Sequence, residues 1–556
     1  MSRRRPAPAA PAPASAETPW ALAVVVALAV ALRVAHLVEL RDTPWFDHLV
    51  IDPQYYDAWA QQLAGGEWLG TRPFYMDPLY PYLLGALYRV WGHDLMAARL
   101  VNVAFGAGTC VLIARLGRRV AGPTAGTIAA LGFALYLPDI FFTGEIDKTC
   151  LSVLLVTATL VLFLGRSLLS RFGAGLTLGL AALTRGNVLL LAPLAVLTLL
   201  FDRHRPVTSA GVFLLGIGLA LSPVVWRNHR VSGEWVLTTA QAGQNFYTGN
   251  NPGNDYGAYT TPPFVRGNPH FEELDFRAEA EKRLARSLTA GEVSDYWFGE
   301  AWAHLTTHPA YATQVMARKL ALFWNDFEVS DNQDQYLLAR DSWVLRLPLP
   351  GFGIVAALAL LGVVVTWRQR TTRILVAFVA VYCASVVAFF IFSRYRIQVV
   401  PALLPLGAAG ILSLGAAARA RNMRRLATDA AIVGVAALVC FHTIGVFSAT
   451  HPGVVEMRLR HLGQIYLTSG RIDDAFAAFH DGLAGCPTSC SLGTQALADA
   501  YLATGRLADG EAWFRRLTRE HPDYADGWGH LARILQAAGR PDEAQQVLRQ
   551  GNVSVN

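Results

Sequence analysis

Between Trp20 and about residue 448, apolar runs of about 13 to 22 residues alternate with short connections, and arginines gather in every second connection. This alternation limits the fold more than any single motif does. About 20 apolar residues wound as a helix span about 30 Å, the thickness of a bilayer's hydrocarbon core, and lipid tolerates no unpaired backbone groups. The runs lie at 20–40, 95–115, 121–138, 147–165, 172–184, 186–201, 208–225, 350–367, 373–392, 397–416 and 429–448, about eleven transmembrane helices. With 53% hydrophobic and 16% charged residues over 556 positions, the chain is too apolar for a soluble protein and long enough for more than one domain. An all-α polytopic membrane protein is expected.

Charge sets the expected topology. The clusters Arg115/Arg118/Arg119, Arg166/Arg171, Arg203/Arg205, Arg368/Arg370/Arg373 and Arg419/Arg421/Arg424/Arg425 fall in alternate connections, which the positive-inside rule assigns to the cytoplasm. Residues 1–19, rich in Arg, Pro and Ala without apolar periodicity, read as a disordered cytoplasmic tail. The first run is too long for a cleaved signal peptide and reads as an uncleaved anchor. The opposite face receives the loops 41–94, 138–146 and 226–349, a hinge at Arg185, the Arg394/Arg396 turn and everything after about 449. The expected location is a bacterial cytoplasmic (inner) membrane, with these segments on its periplasmic face. Runs 172–184 and 186–201 are separated because one helix of about 30 residues would be about 45 Å long and would bury Arg185 mid-membrane at about 3 kcal/mol. The net charge of +6 does not point to nucleic acid, because the arginines sit between spans rather than on one amphipathic face.

This topology gathers residues from distant positions on one membrane face. The first loop opens with Asp52, Tyr55, Tyr56 and Asp57 and continues to Asp77 and Tyr80. Glu145, Asp147 and Lys148 sit at the mouth of a span, where such charges are expensive unless paired or wet. Arg394 and Arg396, at i and i+2 beside a lipid boundary, can clamp a phosphate, with Lys148 or Arg185 alongside. A carboxylate that removes a proton from an acceptor, opposite cations that neutralise a departing phosphate, is the minimum for moving a sugar from a lipid phosphate. Asp52 is the expected general base, and Glu145 is expected to orient an acceptor or sugar hydroxyl. In the long loop, residues 243–255 form a turn-prone run of amides and aromatics suited to sugar contact, with Asn245 and Asn250 as candidates. From 271 to 325 the pattern turns helical, with one amphipathic helix opening near Glu292.

Asp52-Pro53-x-x-Tyr56, Pro78-Leu79-Tyr80-Pro81, Gly144-Glu145, Leu183-Thr184-Arg185 and Ser393-Arg394-Tyr395-Arg396 resemble the membrane glycosyltransferases of the GT-C superfamily. The nearest group is glycosyltransferase family 39, of protein mannosyltransferases and aminoarabinose transferases. The resemblance covers residues 20 to about 420 and implies a GT-C-like domain over 20–448. It implies a polyprenyl-phosphate sugar donor, an inverting transfer outside the cytoplasm to a protein, lipid or glycan acceptor, and a first-loop catalytic Asp matching Asp52. The family's second-loop acid matches Glu145, with Asp147 as alternate. Arg72-Pro73-Phe74-Tyr75-Met76-Asp77 lacks the lysine that aminoarabinose transferases use there, which speaks against that lipid activity, and no β-trefoil is recognisable. No metal or other cofactor is expected, since the first loop has no His pair or Asp-x-Asp beside a membrane, although clustered carboxylates leave a divalent cation as the alternative. The competing class is a transporter or flippase of a lipid-linked substrate, whose charges belong near mid-membrane.

Beyond residue 449 a period of 35, then 34, appears: Leu462, Tyr466, Gly470, Ala475, Phe479 and Pro487 recur as Leu497, Tyr501, Gly505, Gly510, Phe514 and Pro522, then as Leu531, Gly539 and Ala544. This resembles the tetratricopeptide repeat, a stack of helical hairpins, over a domain at 449–556 that either caps the membrane domain or binds a partner peptide or acceptor protein. Cys486 and Cys490 form either a local disulfide or two free thiols, whereas Cys110, Cys150, Cys383 and Cys440 lie in apolar runs as small hydrophobes.

Overall fold

A computed structural model describes residues 19–202, 205–445, 447–448 and 450–551. The tail expected at 1–19 therefore lies, except for Pro19, outside the described residues. The described chain is all-α, with only isolated β-bridges. It forms two compact units: residues 1–38, 50–335 and 342–442 make the first, and 39–49, 336–341 and 443–556 the second.

Every apolar run expected to cross the membrane is helical, but not every one is long enough to do so. Trp20–Arg41, Leu95–Ala121, Pro206–Ser232, Arg370–Val387 and Ser393–Arg419 have the length and composition of spans. Pro123–Ala134 and Leu137–Thr143 make a sixth only as a pair bent by 53°. Thr149–Phe163, Leu168–Ala182, Gly186–Leu200 and Phe352–Thr366 are shorter; at 1.5 Å per residue, 15 residues reach only about 22 Å. By length and composition, five of the described helices, or six with the bent pair, qualify as spans, against the about eleven transmembrane helices expected, with shorter apolar helices between them. The polar segments interrupt the apolar runs. Thr149–Phe163 begins after Glu145–Lys148, and Leu168–Ala182 stops before Arg185, whose extended backbone precedes a 3-10 turn at Gly186–Leu190. Such irregular backbone is tolerated at membrane depth only where protein or a polar cavity surrounds it.

Small residues bring these helices together. A Cβ on Gly175 would come within 1.9 Å of the Phe213 carbonyl oxygen, and one on Gly362 within 1.7 Å of that of Leu406. Leu168–Ala182 therefore meets Pro206–Ser232, and Phe352–Thr366 meets Val400–Arg419, backbone to backbone.

The first loop folds as the helix pair Asp52–Ala64 and Leu79–Trp91. The long loop carries Ala242–Asn250, Pro269–Leu284, Ala290–Thr307 and Pro309–Trp324. Thr289 and Glu292 close a reciprocal capping box at the third of these, so the helix expected near Glu292 starts at Ala290. Trp297 and Phe276 fill the loop's own core, and the indole nitrogen donates to the Phe276 carbonyl at 3.0 Å. The run 243–255, expected as an irregular loop, is helical through Asn250. Close packing explains the difference, since Gly243 abuts Ser294 and Gly249 abuts Phe389.

In the second unit, three helical hairpins repeat: Pro452–Thr468 with Ile472–Leu483, Ser491–Thr504 with Leu507–Glu520, and Ala525–Ala537 with Pro541–Gln550. Gly470, Gly505 and Gly539 make the turns with φ of 76°, 71° and 77°, where a side chain would be strained. The arginines after the second and third turns link repeats: Arg506 reaches Asp473 and Arg540 reaches Glu511, both at 2.7 Å. Cys486 and Cys490 are joined by a disulfide, and the other four cysteines are buried thiols. Two short stretches from upstream belong to this unit. Trp45, 1% exposed, donates to Asp341 at 3.1 Å, and Arg458 lies 4.5 Å above the Tyr336 ring.

Candidate active site

Asp52 is the first residue of its helix, entered from Ile51 at φ 54°, a conformation costly for a β-branched side chain. That entry turns the Asp52 carboxylate inward, where it is 4% exposed and accepts from Arg394 Nη1 at 2.5 Å. Its backbone N–H donates to Asn332 Oδ1 at 3.4 Å. The other edge of the Arg394 guanidinium pairs with Asp331, and Asp147 lies 4.0 Å from Nη1. Three carboxylates from separate segments thus surround one cation, an arrangement that the planar fork of arginine satisfies and lysine does not.

A second set of contacts continues from Asp147. Its carboxylate accepts from the Thr149 N–H at 2.7 Å and hydroxyl at 2.8 Å, and the same hydroxyl accepts from Arg185 Nη2 at 3.0 Å. Arg185 is 3% exposed and lies 4.8 Å over the Tyr395 ring, while its Nε and Nη1 have no hydrogen-bond partner among the described residues. Lys148 pairs with Asp77 and stands 5.6 Å from the Tyr56 ring, which meets Tyr80 edge-on at 5.9 Å. Glu145 is 2% exposed; burial, reinforced by Asp147, pushes its carboxyl well above the usual carboxylate range against the pull of Arg99 and Arg394. Arg99 and Asn102 fix this turn by donating to the Gly144 and Glu145 carbonyls at 2.7 and 2.8 Å.

Glu145, Asp331, Asn332, Ser330, Phe142 and Arg394 line a cavity of about 360 Å³. Asp52 joins it through its bonds to Arg394 and Asn332. Among the described residues no three His, Cys, Asp or Glu side chains form a metal-binding group, and the carboxylates converge on a guanidinium instead. A second cavity of about 530 Å³ is apolar, walled by Leu160, Phe163, Leu178, Leu194, Phe213 and Phe378. Its nearest wall residue on the Thr149–Phe163 helix is Val156, about 10 Å of helix from Thr149.

Asp52, Asp77, Glu145, Asp147, Lys148, Arg185, Arg394, Tyr56 and Tyr80 are therefore brought together, with Tyr55 beside them, its ring 6.2 Å from that of Tyr56. Others diverge. Arg396 pairs with Glu328 at 2.7 Å, donates to the carbonyls of Asn325 and Phe327, and lies 4.1 Å over Phe352. The paired-arginine clamp is thus corrected: on a helical turn, positions i and i+2 face different ways. Asn250 is fully buried, donating to the Phe246 and Ala388 carbonyls at 2.8 and 2.9 Å and accepting from Lys319 at 2.7 Å. Both of its amide N–H donors are thus taken by backbone carbonyls, and Asn245 is half-buried on the same helix. Asp57 bonds Tyr88 and His93 at 2.6 and 2.9 Å rather than joining the cluster. Sequence reading missed Asp331, Asn332 and Arg99. The polar run Ser330-Asp331-Asn332-Gln333-Asp334 was the available signal.

Residues 72–226 match the family described as dolichyl-phosphate-mannose-protein mannosyltransferase, and residues 493–534 the tetratricopeptide repeat. No curated protein matches. Among solved structures, the oligosaccharyltransferase of Archaeoglobus fulgidus in its apo form is 15% identical with a TM-score of 0.42, covering 82% of this chain and 60% of that one. The chain thus spans three-fifths of that enzyme's length. ArnT from Cupriavidus metallidurans, bound to undecaprenyl phosphate, is 15% identical with a TM-score of 0.42, covering 97% of this chain and 90% of that one. The chain is similar over residues 72–226 to the dolichyl-phosphate-mannose-protein mannosyltransferases and over residues 493–534 to the tetratricopeptide repeats, in line with the resemblance carried by its motifs.

Proposed function

We propose that this protein is a membrane glycosyltransferase that moves a sugar from a polyprenyl-phosphate donor to a protein, lipid or glycan acceptor on the periplasmic face of a bacterial inner membrane. The observation that carries the reading is the pairing of Asp52 with Arg394, beside an Arg185 that keeps two N–H donors unused in a buried setting. Buried cations with spare donors suit an anion, and a phosphate is the anion that leaves when a sugar is transferred. The family match over 72–226 and the apolar lining of the cavity near Thr149 support the same donor.

In this mechanism the donor phosphate docks against Arg185, Lys148 and one edge of Arg394. Competition for Arg394 loosens its hold on Asp52, which then accepts the proton of the acceptor's nucleophile. The nucleophile attacks the anomeric carbon from the face opposite the phosphate, the carbon–oxygen bond to phosphate breaks, and the configuration inverts. The leaving phosphate takes the bond's electron pair as the cations neutralise it. Asp77 keeps Lys148 charged, Glu145 meets a sugar or acceptor hydroxyl, and the repeat unit recruits the acceptor. Asp52→Asn tests this in a transfer assay with polyprenyl-phosphate sugars and the cell-envelope fraction as acceptor. The variant is expected to insert and bind lipid phosphate yet lose transfer, and full activity would sink the assignment.

A further inference from the structure

Glu272 lies in the first turn of Pro269–Leu284 on the long loop, 8% exposed. No ion pair neutralises it among the described residues, and its side-chain partner is the Tyr259 hydroxyl, which donates to Oε1 at 3.4 Å. The charged groups facing it are carboxylates, Asp52 from the first-loop helix and Asp331 from the segment before the Arg394 turn. Its helix neighbour Glu273 acts on Tyr55, and His270 meets the Tyr55 ring at 5.0 Å. A helix N-terminus favours a carboxylate, but only by about 0.3–1 kcal/mol. Burial without a cation and opposite two like charges outweighs that, and the carboxyl is pushed up to about 7.

A neutral carboxylic acid has an O–H to donate, which a carboxylate does not. Around it stand Tyr55, Tyr75, Tyr259 and His270, and Tyr259 stacks at 5.8 Å on Phe392, two residues before Arg394. Phosphate would seek the cations, whereas a polar acid set among aromatic faces suits the hydroxyls and apolar ring face of a carbohydrate. We propose that Glu272 hydrogen-bonds a hydroxyl of the transferred sugar and so positions that sugar against Asp52. This rests on the glycosyltransferase reading above.

The test compares the full-length wild type with Glu272→Gln and Glu272→Ala in lipid nanodiscs. Infrared difference spectra should show a protonated carboxyl band at pH 6 that Glu272→Gln removes. Affinity is then measured for polyprenyl phosphate and for polyprenyl-phosphate mannose, glucose and arabinose. In the wild type at least one sugar should tighten binding over the bare lipid, and this gain should fade above about pH 7. Glu272→Gln, a permanent donor, should keep the gain at all pH values, and Glu272→Ala should lose about fivefold of it while binding the bare lipid normally. Absence of the band, no gain from any sugar, or a glutamine variant that behaves like alanine would overturn the proposal. Failure to bind even bare polyprenyl phosphate would instead remove the donor reading, with the infrared band still reporting the state of Glu272.

Discussion

Asp331→Asn separates two effects that the wild type combines. Asp331 shares Arg394 with Asp52, yet burial and the neighbouring Asp52 and Asp147 charges outweigh that cation and raise its carboxyl to about 7. In the unfolded chain the same group titrates near about 3.9. Between those values the folded protein binds the extra proton, so stability falls as pH rises from about 4 to about 7, by at most about 4 kcal/mol from this group. Asparagine mimics the protonated acid at every pH. The variant should therefore exceed the wild type in stability by about 1–2 kcal/mol near pH 5 and by about 4 kcal/mol near pH 8. It should also leave Arg394 with one fewer competitor, so polyprenyl phosphate should bind several-fold more tightly at pH 8 and little differently at pH 5. Thermal unfolding of the full chain in nanodiscs at both pH values, alongside lipid-phosphate affinity, measures both. A variant less stable than the wild type at pH 8 would show that the Arg394 pair outweighs burial and refute the reasoning.

Two more outcomes follow from the neighbouring cations. Arg185→Gln should keep the fold and weaken polyprenyl-phosphate binding about 10-fold to 100-fold, the scale of a charge-assisted contact, and an unchanged Kd would remove Arg185 from the phosphate site. Arg396→Gln should do the reverse: it removes a buried ion pair with Glu328 and should destabilise the fold by about 3–5 kcal/mol in chemical unfolding, while the folded fraction binds lipid phosphate normally. Normal stability with lost binding would restore Arg396 to the clamp.

The parts of the site that were legible in sequence were those that hydropathy and charge could place on a membrane face. Asp52 and Arg394 lie 342 positions apart, and only sidedness linked them. Arg185 was legible because an arginine is costly in the middle of a span, and the helix does break there. Arg396 was misread because adjacency in sequence hides direction; its guanidinium is taken up by Glu328 and backbone carbonyls. Asn250 was misread because a run of amides reads as loop, whereas tertiary packing of Gly243 and Gly249 drew it into a helix and spent its amide on backbone. Asp331 was marked only by the polar run around it, and Glu272 by nothing local. An acid in a polar loop has the appearance of a solvated charge until the other segments close over it.

The second unit is assembled from three stretches of chain, and this bears on how the protein can be cut or recombined. Trp45, Phe46, Leu337 and Leu338 are buried within stretches that precede the repeats by more than a hundred residues. One of those stretches ends just ahead of Asp52 and the other begins just after Asp331. A truncation near residue 443 would not remove a tail; it would unroof two apolar segments, each a few residues from a carboxylate of the site. Loss of activity in such a fragment would report disordered site segments as readily as a lost docking partner. A chimera that exchanges the repeats would have to carry residues 39–49 and 336–341 with them.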